Sequence, residues 1–130
     1  MDEAWWKVHL DEVKRTFQGQ RFSTNWIEGV SKVTLNPQRN SGLAAIKLAI
    51  QFGAERVVLV GYDCQHTGGQ KHWHGDHPKS LGNAGSVQHW PMRFAGFARK
   101  LSGVEIVNAS RETALGCFPR MDLEDALAWI

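Results

Sequence analysis

NSGLAAIKLAIQFGAERVVLVGYD, residues 40–63, decides the fold. Asn40-Ser41-Gly42 opens a helix predicted over 43–52, where Leu43, Ile46, Ala49 and Ile50 make an apolar stripe at helical spacing. Gly53 sits where a helix C-terminal cap belongs. RVVLVG, residues 56–61, is nearly all apolar and predicts a central parallel strand, covered on both faces and leading to Asp63. Downstream, residues 87–101 predict a helix beyond Pro91, since proline is tolerated in a first turn. VEIVN, 104–108, predicts a second buried strand. A last helix is predicted from Asp122, its cap. Upstream, EAWWKVHLDEVKR (3–15) has Trp6, Leu10 and Val13 near one helical face, with Trp5 and His9 beside it and Asp2 as a cap. Gln18-Gly19 breaks that helix. QRFST (20–24) and VSKVTL (30–35) predict short strands. The alternation of helix and strand from residue 40 argues for a parallel sheet with right-handed crossovers. The expectation is an α/β fold: one domain over 1–130, three-layered, with a small, mainly parallel sheet and a long His- and Trp-rich loop.

The totals exclude several classes. With 130 residues, 42% hydrophobic and 22% charged, the chain supports one globular core. The net charge of +2 gives no field that argues for a nucleic acid polymer as partner. Six histidines could charge on acidification, so binding of an anionic ligand is expected to depend on pH. Cys64 and Cys117 fit neither a zinc site nor a disulfide framework, which predicts a reduced, cytoplasmic protein. The charged first ten residues predict no signal peptide. No apolar run approaches the roughly 20 residues that span a bilayer, so no membrane partner is expected.

Ligands of open α/β sheets bind beyond the carboxyl ends of the strands. Both strong strands here end in polar residues, Gly61-Tyr62-Asp63 and Asn108-Ala109-Ser110-Arg111, whose side chains are expected to face a shared crevice. The helix start at Asn40, Ser41 and Gly42 offers free N–H groups and a dipole that favour a phosphate, and Gly42 would let a ligand come close. An ordinary helix cap wants the same residues. The loop QHTGGQKHWHGDHPKSLGN follows Asp63 and holds ligand chemistry at His72, His74, Asp76 and His77. The cluster is contiguous and has only His89 as a distant supplement, so no metal and no cofactor are expected. His74 or His77 is the candidate base if the chain is an enzyme. Tying the loop down by hydrogen bonds is the competing role for each histidine. Tyr62, Trp73 and Trp90 could stack on a nucleobase. Trp5, Trp6 and Trp129 are expected in core packing or an oligomer interface. Arg111 and Lys71 are candidate phosphate partners, with a surface ion pair as the alternative for Lys71.

Residues 40–78 followed by GVEIVNASRETALGCFPR (103–120), with HWHGDH and NASRETAL as the specific stretches, resemble small phage and prophage proteins of poorly defined function. More remotely, the Ser-Gly helix start, the strand ending in Gly-x-Asp and a downstream histidine are similar to Rossmann-like bacterial sialyltransferases and to a hydroxymethylpterin diphosphokinase family. The resemblance implies nucleotide contact at Ser41 and Gly42, a crevice at Tyr62 and Asp63, and a base at His74 or His77. The larger relatives begin with a strand and a Gly-Asn-Gly-Pro-Ser-like turn that cradles phosphates. This chain begins at AWWKVH without it, and a transferase that lacks that wall loses attack geometry.

Three functions follow as expectations. The first is a phage-encoded protein in the host cytoplasm that binds a nucleotide-like small molecule, sequestering a nucleotide-derived defence signal. The second is a nucleotide-sugar-dependent glycosyltransferase or related phosphoryl-transfer enzyme. The third is a structural or virion-associated protein. A homo-oligomer is expected under the first two, because a reduced sheet leaves an edge to cover.

Overall fold

The computed structural model describes residues 3–36, 40–72, 75–77, 81 and 84–130. Asp2, Trp73 and His74 lie outside the described residues. The fold is mixed α/β, with four helices and two small parallel two-stranded sheets among the described residues.

Helix α1, Glu3–Thr16, buries Trp6 and leaves Leu10 and Val13 partly covered. The two strands that follow are shorter than predicted. Strand β1 is Phe22–Ser23 and β2 is Ser31–Lys32, paired in parallel with Phe22 opposite Ser31. The apolar residues that suggested the second strand flank it instead: Val33 donates its N–H to the Ser23 carbonyl at 2.8 Å, beyond the paired positions.

Helix α2, Ser41–Gln51, starts where the sequence says. The Asn40 Oδ1 accepts the Leu43 N–H at 2.8 Å, satisfying one of the first-turn donors. Leu43, Ala44 and Ile46 turn inward. Gly53 follows the helix at φ +90, a left-handed position that glycine takes without a Cβ penalty. Strand β3, Arg56–Leu59, then runs parallel to β4, Glu105–Asn108, with Val57 opposite Ile106. Helix α3, Trp90–Ala98, lies between them in the chain, as parallel pairing requires a crossover. The chain ends in α4, Leu123–Trp129. Asp122 holds the position before it, but its side chain makes no capping bond.

The central strand is not the one the sequence suggested. Among the described residues β3 has one neighbour, β4, while β4 also bridges to Arg120 through Asn108. Burial follows this placement. Ile106, Val107 and Asn108 are buried, whereas Val57 and Val58 are half-buried and Val60 is 57% exposed. β3 also stops at Leu59, before the predicted end, because Gly61 at φ +73 turns the chain.

The core joins Leu43 and Ile46 of α2 to Leu59, Phe94, Ile106, Leu115 and Phe118. Each such side chain contributes about 1.5–3 kcal/mol by burial. Trp129 packs within the chain: the Arg56 guanidinium lies 5.1 Å from its ring centroid, and Arg56 donates to the Trp129 carbonyl at 2.6 Å. No helix among the described residues is long and apolar enough to cross a membrane.

Candidate ligand-binding cavity

The turn after β3 sets the geometry of the site. Gly61 at φ +73 and Cys64 at φ +51 reverse the backbone within four residues. Thr113 Oγ1 donates to the Tyr62 carbonyl at 2.6 Å, and the Tyr62 N–H donates to Ser110 Oγ at 2.7 Å. Held at both ends, Tyr62 lays its ring on the first turn of α2. Its hydroxyl donates to the Gly42 carbonyl at 3.1 Å, and its ring meets Phe94 edge-on at 5.9 Å. A Cβ on Gly42 would stand 2.8 Å from Tyr62 Cε1. The close approach that explains Gly42 is thus the Tyr62 ring, where the sequence suggested a ligand. Burial raises the Tyr62 phenol above its ordinary pKa, with Cys64 nearby as a smaller cause.

A cavity of about 920 Å³ opens beside this turn. Asn40, Ser41 and Gly42 line it from the start of α2, and Gly61, Tyr62, Asp63 and Cys64 line it from the turn. His72, His77 and Trp90 complete the residues that the sequence proposed. Asp63 is half-buried, and its Oδ2 accepts the Thr67 hydroxyl at 2.7 Å. The His72 and His77 rings are 4.5 Å apart, centroid to centroid. Trp90 Nε1 donates to Ser86 Oγ at 3.0 Å. Ser41 stays exposed at the positive end of the helix dipole.

Burial is the main cause that pushes the Cys64 thiol up to about 11, with Cys117 and Asp63 adding to it. Cys117, which packs against the same core, is also raised by burial. Neither thiol has the depressed pKa of a nucleophile.

Three predicted residues lie elsewhere. Ser110 is 1% exposed and does not line the cavity; its hydroxyl accepts the Tyr62 N–H and its own N–H donates to Asn108 Oδ1 at 3.0 Å. Arg111 is exposed, away from the lining, and its carbonyl accepts from Arg120 Nη2 at 3.2 Å. Lys71 is exposed, 3.7 Å from the Asp76 carboxylate, which is the surface ion pair the sequence offered as its alternative. It lines a neighbouring cavity of about 510 Å³ that shares Asp63, His72 and Trp90 with the first.

Sequence reasoning missed a further part of the lining. Trp5, Trp6 and Phe22, from α1 and β1, line the main cavity. The adjacent Trp5-Trp6 pair was the available signal. Neighbouring helical positions point about 100° apart, so one core-facing stripe accommodates only one of the two rings.

The arrangement offers an anion the first turn of α2 and two imidazoles, and offers a flat ring several aromatic surfaces. Among the described residues, no group of three or more His, Cys, Asp or Glu gathers to hold a metal ion. Comparison with protein-family models, curated proteins and solved structures finds no match to this chain.

Proposed function

We propose that this chain is a small-molecule-binding protein whose ligand is nucleotide-like, held without turnover. One observation carries the reading: a single cavity of about 920 Å³ has the α2 start, Asp63 and His77 among its polar lining and Trp5, Phe22 and Trp90 among its aromatic lining. Its volume falls in the range of small-molecule sites, roughly 300–1,000 Å³. A nucleotide presents the matching pair of groups, a phosphate and a flat ring. The parallel β3–α3–β4 unit with α2 before it supports a Rossmann-like, three-layer arrangement as the scaffold.

The biological use belongs to the same proposal: a phage-encoded protein in the host cytoplasm that sequesters a nucleotide-derived defence signal. So does a homo-oligomer, for which Phe52, Val60 and Trp26 supply exposed apolar surface.

The test is capture and release. The protein is incubated with nucleotides, dinucleotides and nucleotide sugars, separated from unbound ligand, and heated. Mass spectrometry that recovers the intact ligand supports capture. Recovery of an altered product replaces it with the transferase reading, in which His77 acts as base. A tight ligand at 100 times its Kd should also stabilise the fold by about 2.7 kcal/mol. No recovered ligand and no rise in Tm across the panel would leave a structural role.

A further inference from the structure

We infer that Trp5 is the stacking partner of the ligand's flat ring, which makes α1 one wall of the site and lets the ligand tie α1 to the rest of the fold. This rests on the nucleotide-like reading and adds the position of the ring.

Trp6 is 8% exposed and Phe94 1%, so neither has a face to offer. Tyr62 is committed through its hydroxyl to Gly42 and through its ring to Phe94. Phe22 packs edge-on against Phe52 at 5.1 Å. Trp90 has its indole N–H on Ser86 and stands where the two cavities meet, beside Asp63 and His72. Trp5 lines the main cavity and is half-buried, as Phe22, Tyr62 and Trp90 are, but its ring contacts come from its own helix and fix the ring without enclosing it. Trp6 meets it edge-on at 5.2 Å, and His9 lies against it at 4.8 Å. A ring held in place before binding loses little rotamer freedom on stacking, which favours affinity.

The consequence for α1 is direct. Trp6 is the buried residue of that helix, so its attachment to the fold is narrow. A ligand seated between Trp5 and the polar groups at Ser41, Asp63 and His77 adds a second attachment.

The experiment compares the four ribonucleoside 5′-monophosphates with ribose 5-phosphate, which lacks the ring. Calorimetry measures their affinities for wild type, Trp5→Ala and Trp5→Phe. Hydrogen exchange follows the amides of Glu3–Thr16. Wild type is expected to prefer at least one nucleotide over ribose 5-phosphate by roughly ten- to a hundredfold, from the usual strength of base stacking. Trp5→Ala should lose most of that preference and bind ribose 5-phosphate as wild type does, while Trp5→Phe retains a large part. The preferred nucleotide should protect the α1 amides and ribose 5-phosphate should not. An unchanged preference in Trp5→Ala overturns the inference and leaves the site reading intact. So does a wild type that binds nucleotide and ribose 5-phosphate equally. If Trp5→Ala fails to fold, α1 exchange in wild type and affinity in Trp5→Phe decide. Binding of none of these probes by wild type overturns the inference, while the capture panel of dinucleotides and nucleotide sugars decides the site reading.

Discussion

The ends of β3 and β4 look alike in the sequence and differ in what their polar groups do. Gly61-Tyr62-Asp63 and Asn108-Ala109-Ser110-Arg111 both follow an apolar strand with polar residues. Only the first reaches the cavity. The second is a latch. Asn108, fully buried, receives the Ser110 N–H at its Oδ1 and donates to Thr113 Oγ1 at 3.3 Å. Ser110 and Thr113 then hold the N–H and the carbonyl of Tyr62. Polar residues at a strand end are therefore shared between binding a guest and satisfying their own neighbours. A buried strand commits them to the second use, because an unpaired polar group costs more there. β4 is the more buried strand, and its end positions the turn that β3 supplies.

That division predicts the largest effect far from the cavity. Asn108→Ala should destabilise the fold by roughly 2–3 kcal/mol, since it leaves buried partners unpaired. Urea denaturation measures it, and a loss below about 0.5 kcal/mol, the size of an ordinary surface change, would break the latch. Gly42→Ala comes next. Alanine favours a helix over glycine by about 1 kcal/mol, yet the new Cβ would press on Tyr62 Cε1 from 2.8 Å. Overpacking of this kind typically costs about 1–3 kcal/mol, so a net loss of about 1 kcal/mol is expected. A net gain would show that the Tyr62 ring yields easily, and that the turn is less fixed than its hydrogen bonds imply.

A further effect follows pH. The neutral Cys64 thiol is favoured in the folded chain, where its pKa is about 11 against an ordinary 9.0. Its contribution to stability is complete below pH 9 and is lost as pH rises towards 11, because the unfolded chain releases the proton first. The Tyr62 phenol shifts in the same direction and adds to the loss. Denaturation midpoints should fall over this window, and fall less in Cys64→Ala. An identical fall in the variant would assign the dependence to other groups.

Much of this was legible in the sequence, for local reasons. The stripe Leu43, Ile46, Ala49, Ile50 and the cap at Asn40 are written within a few residues, and α2 starts there. The cavity residues Ser41, Gly42, Tyr62 and Asp63 follow from helix-start and strand-end logic, and His72, His77 and Trp90 from the ligand and stacking chemistry of the residues that come after. What was not legible depends on neighbours distant in the chain. RVVLVG reads as a central strand from its apolarity, but centrality is a matter of how many strands pair with it. Gly42 is explained by a ring twenty residues later, and Ser110 by a peptide forty-eight residues earlier. The wall from α1 lies furthest out of reach, since no local pattern says what a second tryptophan beside a buried one will cover.

The smallest effect sharpens the comparison most. Arg111 has the best phosphate-binding chemistry near either strand end, and a reading from residue type alone places it on the ligand. Its side chain is exposed and outside the cavity lining, while Ser41 and His77 line it. Arg111→Ala should therefore change stability by no more than about 0.5 kcal/mol, as surface substitutions do. It should also leave the affinity for a phosphate-bearing probe within about twofold. His77→Ala, a change at the β3 side of the comparison, should weaken the same probe by more than that. If Arg111→Ala costs tenfold and His77→Ala costs nothing, the two strand ends have exchanged roles. The guest would then lie over the β4 end, where Arg120 bonds the Arg111 carbonyl.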